Sequence, residues 1–220
     1  MTRRPGTATA PRLYVLTPPV GEAAAVSGDL VGSLAEVLPG LGIAAVLLRL
    51  PDTDERTVIN LVKGIAPGIQ SAGTALLLDG RPDIVARAGA DGAHLAGADA
   101  LKAALPRLKP NHIAGAGRLP GRHDAMVVSE AGADYVMFGE PDAAGHGPAF
   151  EAVIDRIAWW AEVFEVPCVA YAAGLDEIAP LVAAGADFVA VGAALFDDPR
   201  GLKAAVADAA ARLASPEPAA

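Results

Sequence analysis

A four-residue phrase recurs along this chain and sets the strongest limit on what it can fold into. Ala88-Gly89-Ala90-Asp91 leads into Gly92-Ala93-His94-Leu95, and Ala131-Gly132-Ala133-Asp134 leads into Tyr135-Val136-Met137-Phe138-Gly139. Ala184-Gly185-Ala186-Asp187 leads into Phe188-Val189-Ala190-Val191-Gly192, and Leu41-Gly42-Ile43-Ala44 before Ala45-Val46-Leu47-Leu48 is a weaker echo. Each copy follows an Ala-rich amphipathic stretch and precedes a short apolar run. The glycine suits the position after a helix, where φ > 0 costs it little, and the aspartate falls in the turn before a strand. One helix-to-strand junction is therefore used several times. The three clear copies start 43 and 53 residues apart, too irregularly for a solenoid but suitably for every second βα unit of a barrel.

Short apolar runs bounded by turn residues predict eight strands: Leu13–Leu16, Ala45–Arg49, Ala75–Leu78, Gly92–Leu95, His112–Ala114, Tyr135–Phe138, Cys168–Tyr171 and Phe188–Val191. Helical patterns lie between them, at Ala23–Leu38, Asp54–Ile65, Asp83–Ala88, Asp99–Leu105, Arg122–Ala131, Pro148–Phe164, Asp176–Ala184 and Pro199–Leu213. Strands alternating with helices imply a parallel sheet covered by helices. A doubly wound sheet is the competing layout, but Thr17-Pro18-Pro19 stands where its glycine-rich fingerprint belongs. The expected fold is α/β, a single (β/α)8 TIM barrel over residues 12–213, with flexible segments at 1–11 and 214–220. A length of 220 residues just accommodates eight such units, and 53% apolar composition supplies the core.

Composition also removes functions. The single Cys168 excludes a disulfide framework and a cysteine-based zinc site. A net charge of -9 argues against nucleic acid as the partner, which needs a basic face. The apolar stretch Val37 to Leu48 is interrupted by Pro39, Gly40 and Gly42, so no membrane partner is expected. Met1 to Pro11 has no apolar run after Arg3 and Arg4, which predicts a cytoplasmic chain.

In a barrel of this kind the chemistry sits where strands end. Those positions offer Thr17, Arg49, Asp79 with Arg81, His94 with Asp99, Arg118 with His123 nearby, and Glu140, Asp142 and His146. Arg49 follows Val46-Leu47-Leu48 and needs a partner there, either a ligand anion or Asp79 or Asp99. His94 suits acid–base work near neutral pH, or a hydrogen-bonded place in the core. Asp79 and Asp99 are candidate Mg²⁺ ligands, and Asp99 is also placed to cap the next helix. After the last two strands, Ala172-Ala173-Gly174 and Gly192-Ala193-Ala194 let backbone N–H groups approach a phosphate closely, or simply pack tightly. Trp159-Trp160 is read as one ring packed inward and one facing a groove or a neighbour.

The order Leu13-Tyr14-Val15-Leu16-Thr17, Val46-Leu47-Leu48-Arg49, Leu78-Asp79-Gly80-Arg81-Pro82-Asp83, Ala90-Asp91-Gly92-Ala93-His94-Leu95 and Gly132-Ala133-Asp134-Tyr135-Val136 resembles thiamine phosphate synthase. It also resembles that family's relative, the TenI-type thiazole tautomerase. The resemblance runs from about Leu13 to Ala211. It implies a phosphate-binding barrel that joins a pyrimidine pyrophosphate to a thiazole phosphate with Mg²⁺, through cationic character at the pyrimidine methylene. Together with the strand-end reading, it gives catalytic candidates Arg49, Asp79 and His94, and candidates for substrate or phosphate binding Arg49, Arg81, Arg118, Gly174, Gly192 and Ala193. Asp99 and Asp79 would hold metal. The chain departs from the synthase pattern at Leu47-Leu48-Arg49-Leu50-Pro51, which keeps only the arginine, and at Ala96-Gly97-Ala98-Asp99, which keeps only the aspartate. Glu140-Pro141-Asp142-Ala143-Ala144-Gly145 has no counterpart of the lysine that grips pyrophosphate. The tautomerase pattern matches at Asp79-Gly80-Arg81-Pro82-Asp83, while its acid–base histidine falls near Pro120 or Gly121 here.

Three readings follow: a synthase of weak or lost activity, a tautomerase or phosphate-ligand binder without the metal, and a silent barrel with another ligand or protein partner. A homodimer through the Trp159-Trp160 helix is a further expectation.

Overall fold

The computed structural model describes residues 10–19, 34, 42–51, 53–142 and 145–214. Eight parallel strands close into one barrel in chain order: β1 (Arg12–Leu16), β2 (Ala45–Leu48), β3 (Ala75–Asp79), β4 (Gly92–Ala96), β5 (Ile113–Gly117), β6 (Tyr135–Phe138), β7 (Cys168–Ala172) and β8 (Phe188–Val191). Closure is made by β1 pairing β8, with Leu13 opposite Val189. The helices among the described residues are α1 (Glu55–Ser71), α2 (Val85–Ala88), α3 (Gly97–Leu108), α4 (Arg122–Ala131), α5 (Phe150–Val163), α6 (Ile178–Ala183), α7 (Ala193–Phe196) and α8 (Leu202–Ala214). A 3₁₀ turn at Leu175–Glu177 precedes α6. None is long and apolar enough to cross a membrane. The expected helix Ala23–Leu38 lies outside the described residues except for Leu34, which is helical and buried. The segments 1–9 and 215–220 lie outside them as well.

The recurrent phrase works as anticipated, and its aspartate does more than turn the chain. Gly89, Gly132 and Gly185 all take the left-handed conformation, with φ of 76°, 107° and 101°. The carboxylates then reach across to the preceding strand: Leu76 N–H donates to Asp91, Ala114 N–H to Asp134 and Cys168 N–H to Asp187, at 2.7, 2.7 and 2.9 Å. Each copy thus pins the start of an odd strand, β3, β5 or β7, to the junction entering the next. A backbone N–H at the sheet's lower rim finds its acceptor this way.

Alternation along the strands separates two apolar layers. Val15, Val46, Leu48, Leu76, Leu78, Ala93, Leu95, Ala114 and Ala116 face the helices. Tyr14, Leu16, Leu47, Leu77, Tyr135, Met137, Val169 and Ala190 fill the lumen. On β5 the lumen face is Gly115 and Gly117, and this gap is what the larger neighbours occupy. A Cβ on Gly115 would overlap the Tyr135 ring, and one on Gly117 would overlap His94 and Glu140.

Several sequence boundaries move. Strand five runs Ile113–Gly117, not His112–Ala114, because the Ala-Gly alternation carries little apolar signal yet pairs with β4 through Ala96↔Gly117. Helix α1 extends to Ser71 through Pro67, and α3 to Leu108 through Pro106. Asp99 is not a cap: α3 begins at Gly97 directly after β4, and Asp99 sits exposed in its first turn. Of the tryptophans, Trp160 is buried and stacks on Phe164 at 4.0 Å, while the ring of Trp159 is covered by the Arg122 guanidinium at 4.7 Å.

Candidate active site

The barrel's C-terminal mouth gathers charged side chains from the ends of β2, β3, β5 and β6. Arg49, just past β2, places Nε 3.9 Å from Asp79 at the end of β3, and its backbone N–H donates to buried Thr17. Arg118, just past β5, places one terminal nitrogen 3.7 Å from the same Asp79 carboxylate and 3.5 Å from Glu140. These contacts are longer than charge-assisted hydrogen bonds, which close to about 2.7–2.9 Å. Both guanidinium groups therefore face the mouth without being locked to a carboxylate. Arg118 is the one non-glycine among the described residues with positive φ, at 52°. Side chains other than glycine adopt that conformation at a cost, and such strain gathers at functional sites.

Below the mouth a line of polar groups descends through the lumen. Glu140 Oε2 lies 3.1 Å from His94 Nε2, His94 Nδ1 2.8 Å from the Tyr135 hydroxyl, and that hydroxyl 2.9 Å from the Tyr14 hydroxyl. All four residues are buried. Donor counting gives the line one consistent direction. Burial opposes the charge on Glu140, but the His94 hydrogen bond and the nearby Arg118 and Arg49 outweigh it and hold the carboxyl below its ordinary pKa. An ionised Glu140 requires His94 to donate through Nε2–H, so the other ring nitrogen accepts from Tyr135, and Tyr135 accepts from Tyr14. Burial pushes both phenols up in pKa, which keeps each a hydroxyl.

Of the residues expected from sequence, the structure brings Arg49, Asp79, His94 and Arg118 into this one network. Arg81 instead pairs with Asp83 at 3.4 Å. His146 is exposed beside Asp142, and the neighbouring Ala143 and Ala144 lie outside the described residues. In the loop after β7 the Ala173 N–H already donates to the Glu177 carboxylate at 2.7 Å. Gly192 is buried and precedes α7, leaving Ala193 exposed as the first residue of that helix. The sequence offers Glu140 as a strand-end residue without a role of its own, and nothing in it singles out Tyr135 or Tyr14. The available signals were a carboxylate directly following Gly139 after four apolar residues, and a facing strand whose inward positions are bare glycines.

Mg²⁺ takes one or two carboxylates along with substrate phosphates and water. Asp79 fits that role, facing the mouth with only loose partners. Asp99 lies exposed in the first turn of α3, which starts directly after β4 at this end of the barrel; among the described residues no three acidic, His or Cys side chains gather as a metal site.

A family model described as thiamine monophosphate synthase matches residues 13–195. The thiamine-phosphate synthase of Rhodospirillum centenum is 38% identical over 205 residues, covering 90% of this chain and 95% of that one. This chain belongs to the thiamine monophosphate synthase family. A second family member, the thiamine-phosphate synthase of Hyphomonas neptunium, is 34% identical over 204 residues, covering 89% of this chain and 90% of that one. Among solved structures, thiamine phosphate pyrophosphorylase from Pyrococcus furiosus superposes with a TM-score of 0.74 at 21% identity, covering 95% of this chain and 98% of that one. A 3-hexulose-6-phosphate synthase gives 0.71 at 16% identity, over 91% of this chain and 99% of that one. These two likenesses show the barrel fold.

Proposed function

We propose that this chain carries out the coupling its family relatives are named for, joining a pyrimidine pyrophosphate to a thiazole phosphate at the C-terminal mouth. The observation that carries the reading is the pair of loosely held guanidiniums, Arg49 and Arg118, facing one another across Asp79. The bond from the pyrimidine methylene to oxygen breaks with its electron pair going to pyrophosphate, and the thiazole nitrogen's lone pair forms the new C–N bond. Negative charge grows on the leaving group, and pre-placed cations in a partly buried mouth stabilise that growth more than the ground state. Arg49 and Arg118 are the diphosphate-binding cations; Asp79 lies between them, loosely paired with both. Asp79, with Asp99 in the first turn of α3, would hold Mg²⁺, which when bound neutralises part of the diphosphate charge. The thiazole phosphate is assigned to the loops carrying Gly174, Gly192 and Ala193, where Glu177 on the Ala173 amide stands in for an anion and must yield to one. Arg81 is left to Asp83 rather than to substrate.

The test is pyrophosphate release from both precursors with Mg²⁺ at high enzyme concentration. Turnover is expected, and Arg49→Ala lowers kcat/KM by roughly 10²–10³, the usual cost of one charge-stabilising donor. Absence of release, or an Arg49→Ala enzyme at the unmutated rate, overturns the reading. Thermal stabilisation by thiazole phosphate without turnover marks a binding relative instead.

A further inference from the structure

The end of the lumen away from the mouth is not filled. Tyr14, Ala45 and Ala75 stand side by side in register across β1, β2 and β3, so two of three neighbouring positions carry only a methyl group. A cavity of about 160 Å³ opens there, at the N-terminal end of the barrel. Its floor is Tyr14, Leu77, Tyr135 and Val169, all buried, and half-buried Ala75, Ile113 and Phe188 stand at its edge. Two residues further along β1, β2 and β6, Leu16, Leu47 and Met137 are completely buried and fill the next layer of the lumen. That layer separates the cavity from the mouth.

The lining also decides what kind of molecule fits. Its polar side chains are Tyr14, Tyr135 and Arg12. Both phenol protons are already spent, Tyr14 donating to Tyr135 and Tyr135 to His94. The Arg12 guanidinium donates to the Gly42 and Ile43 carbonyls at 3.0 and 3.1 Å. The junction carboxylates Asp91, Asp134 and Asp187 stand at the same end, each accepting from a strand amide, so charges of both signs flank the opening. A charged guest would give up its hydration against a wall of alanine, leucine, valine and phenylalanine, at high cost. Apolar cavities of about 150 Å³ stay dry and take up benzene. We propose that this lower cavity is a binding site for one small neutral aromatic ring, separate from the chemistry at the mouth. Binding removes the ring and the apolar lining from water together, and the occupied chain is more stable by mass action.

The ¹⁵N-labelled chain is titrated with toluene, benzoate and benzylammonium, following the Ala45, Ala75 and Ile113 amides at the cavity and the Gly174 and Gly192 amides at the mouth. Toluene at millimolar concentration is expected to shift the first group saturably, at least tenfold more tightly than either charged probe. Ala75→Leu fills the cavity and weakens toluene at least tenfold. Absence of a saturable shift, shifts confined to Gly174 and Gly192, equal affinity for a charged probe, or toluene binding that survives Ala75→Leu each overturn the proposal. The ranking of probes on the unmutated chain stands even where the variant folds poorly. The outcome is independent of whether the chain releases pyrophosphate.

Discussion

Alanine at Gly117 is expected to destabilise the barrel by about 3 kcal/mol and to disable its mouth, a large effect for one methyl group. The added Cβ would overlap His94 Nε2 and lie 2.5 Å from Glu140 Oε2. Neither neighbour is the free end of a flexible chain. The imidazole is tied to Tyr135 on its far side and the carboxylate is buried, so accommodation means breaking their hydrogen bond. Overpacking of this kind costs roughly 1–3 kcal/mol, and a buried charged acceptor left unmade costs about as much again. A control lies in α1: Gly64 is exposed in mid-helix with nothing within 4 Å of its added Cβ. Gly64→Ala should be neutral or stabilising by up to about 1 kcal/mol through helix propensity. Urea denaturation of the two variants checks the pair. If Gly117→Ala is as stable as the unmutated chain, the lumen is not filled as described.

The barrel itself was legible because it is written in repetition. Three copies of one junction, at Asp91, Asp134 and Asp187, each mark the boundary where a helix hands over to a strand, and apolar runs mark the strands between. The site was half legible. Arg49 and Asp79 stand out because a charge directly after an apolar run has few places to go. Glu140 follows Tyr135–Phe138 in the same way, but its significance depends on Gly115 and Gly117 across the β5–β6 pair. Glycine in a strand reads as weakness in one dimension and as space in three. Arg81 illustrates the converse, since it lies two residues past the strand end and its ion pair is with Asp83, two residues further on. Asp99 does not cap α3 for a simple geometric reason: no linker separates β4 from α3, so the helix has already begun two residues earlier. The four-residue helix α7 was missed because Ala193–Phe196 is too short to show periodicity.

Replacing His94 with phenylalanine is expected to cost about 3–5 kcal/mol near neutral pH, the range for stripping a buried charge of its partner. The pH dependence of that loss identifies the mechanism. In the unmutated chain the Glu140 carboxyl is held below its ordinary pKa. Its contribution to stability is therefore full above the unfolded carboxylate pKa and is lost as pH falls through the folded one. Without His94 the strongest opposing partner is gone and burial prevails, so the folded pKa rises above the unfolded value. The variant then gains relative stability as acid protonates Glu140, and the gap between the two chains narrows toward about pH 4, near the ordinary carboxylate value. Tyr135→Phe is the reference: it removes one neutral hydroxyl, costs about 1 kcal/mol, and changes little with pH. Stability curves for the three chains over the acidic range provide the measurement. Parallel curves for His94→Phe and the unmutated chain would mean that Glu140 already carries its proton in the fold, and that His94 is not what keeps it charged.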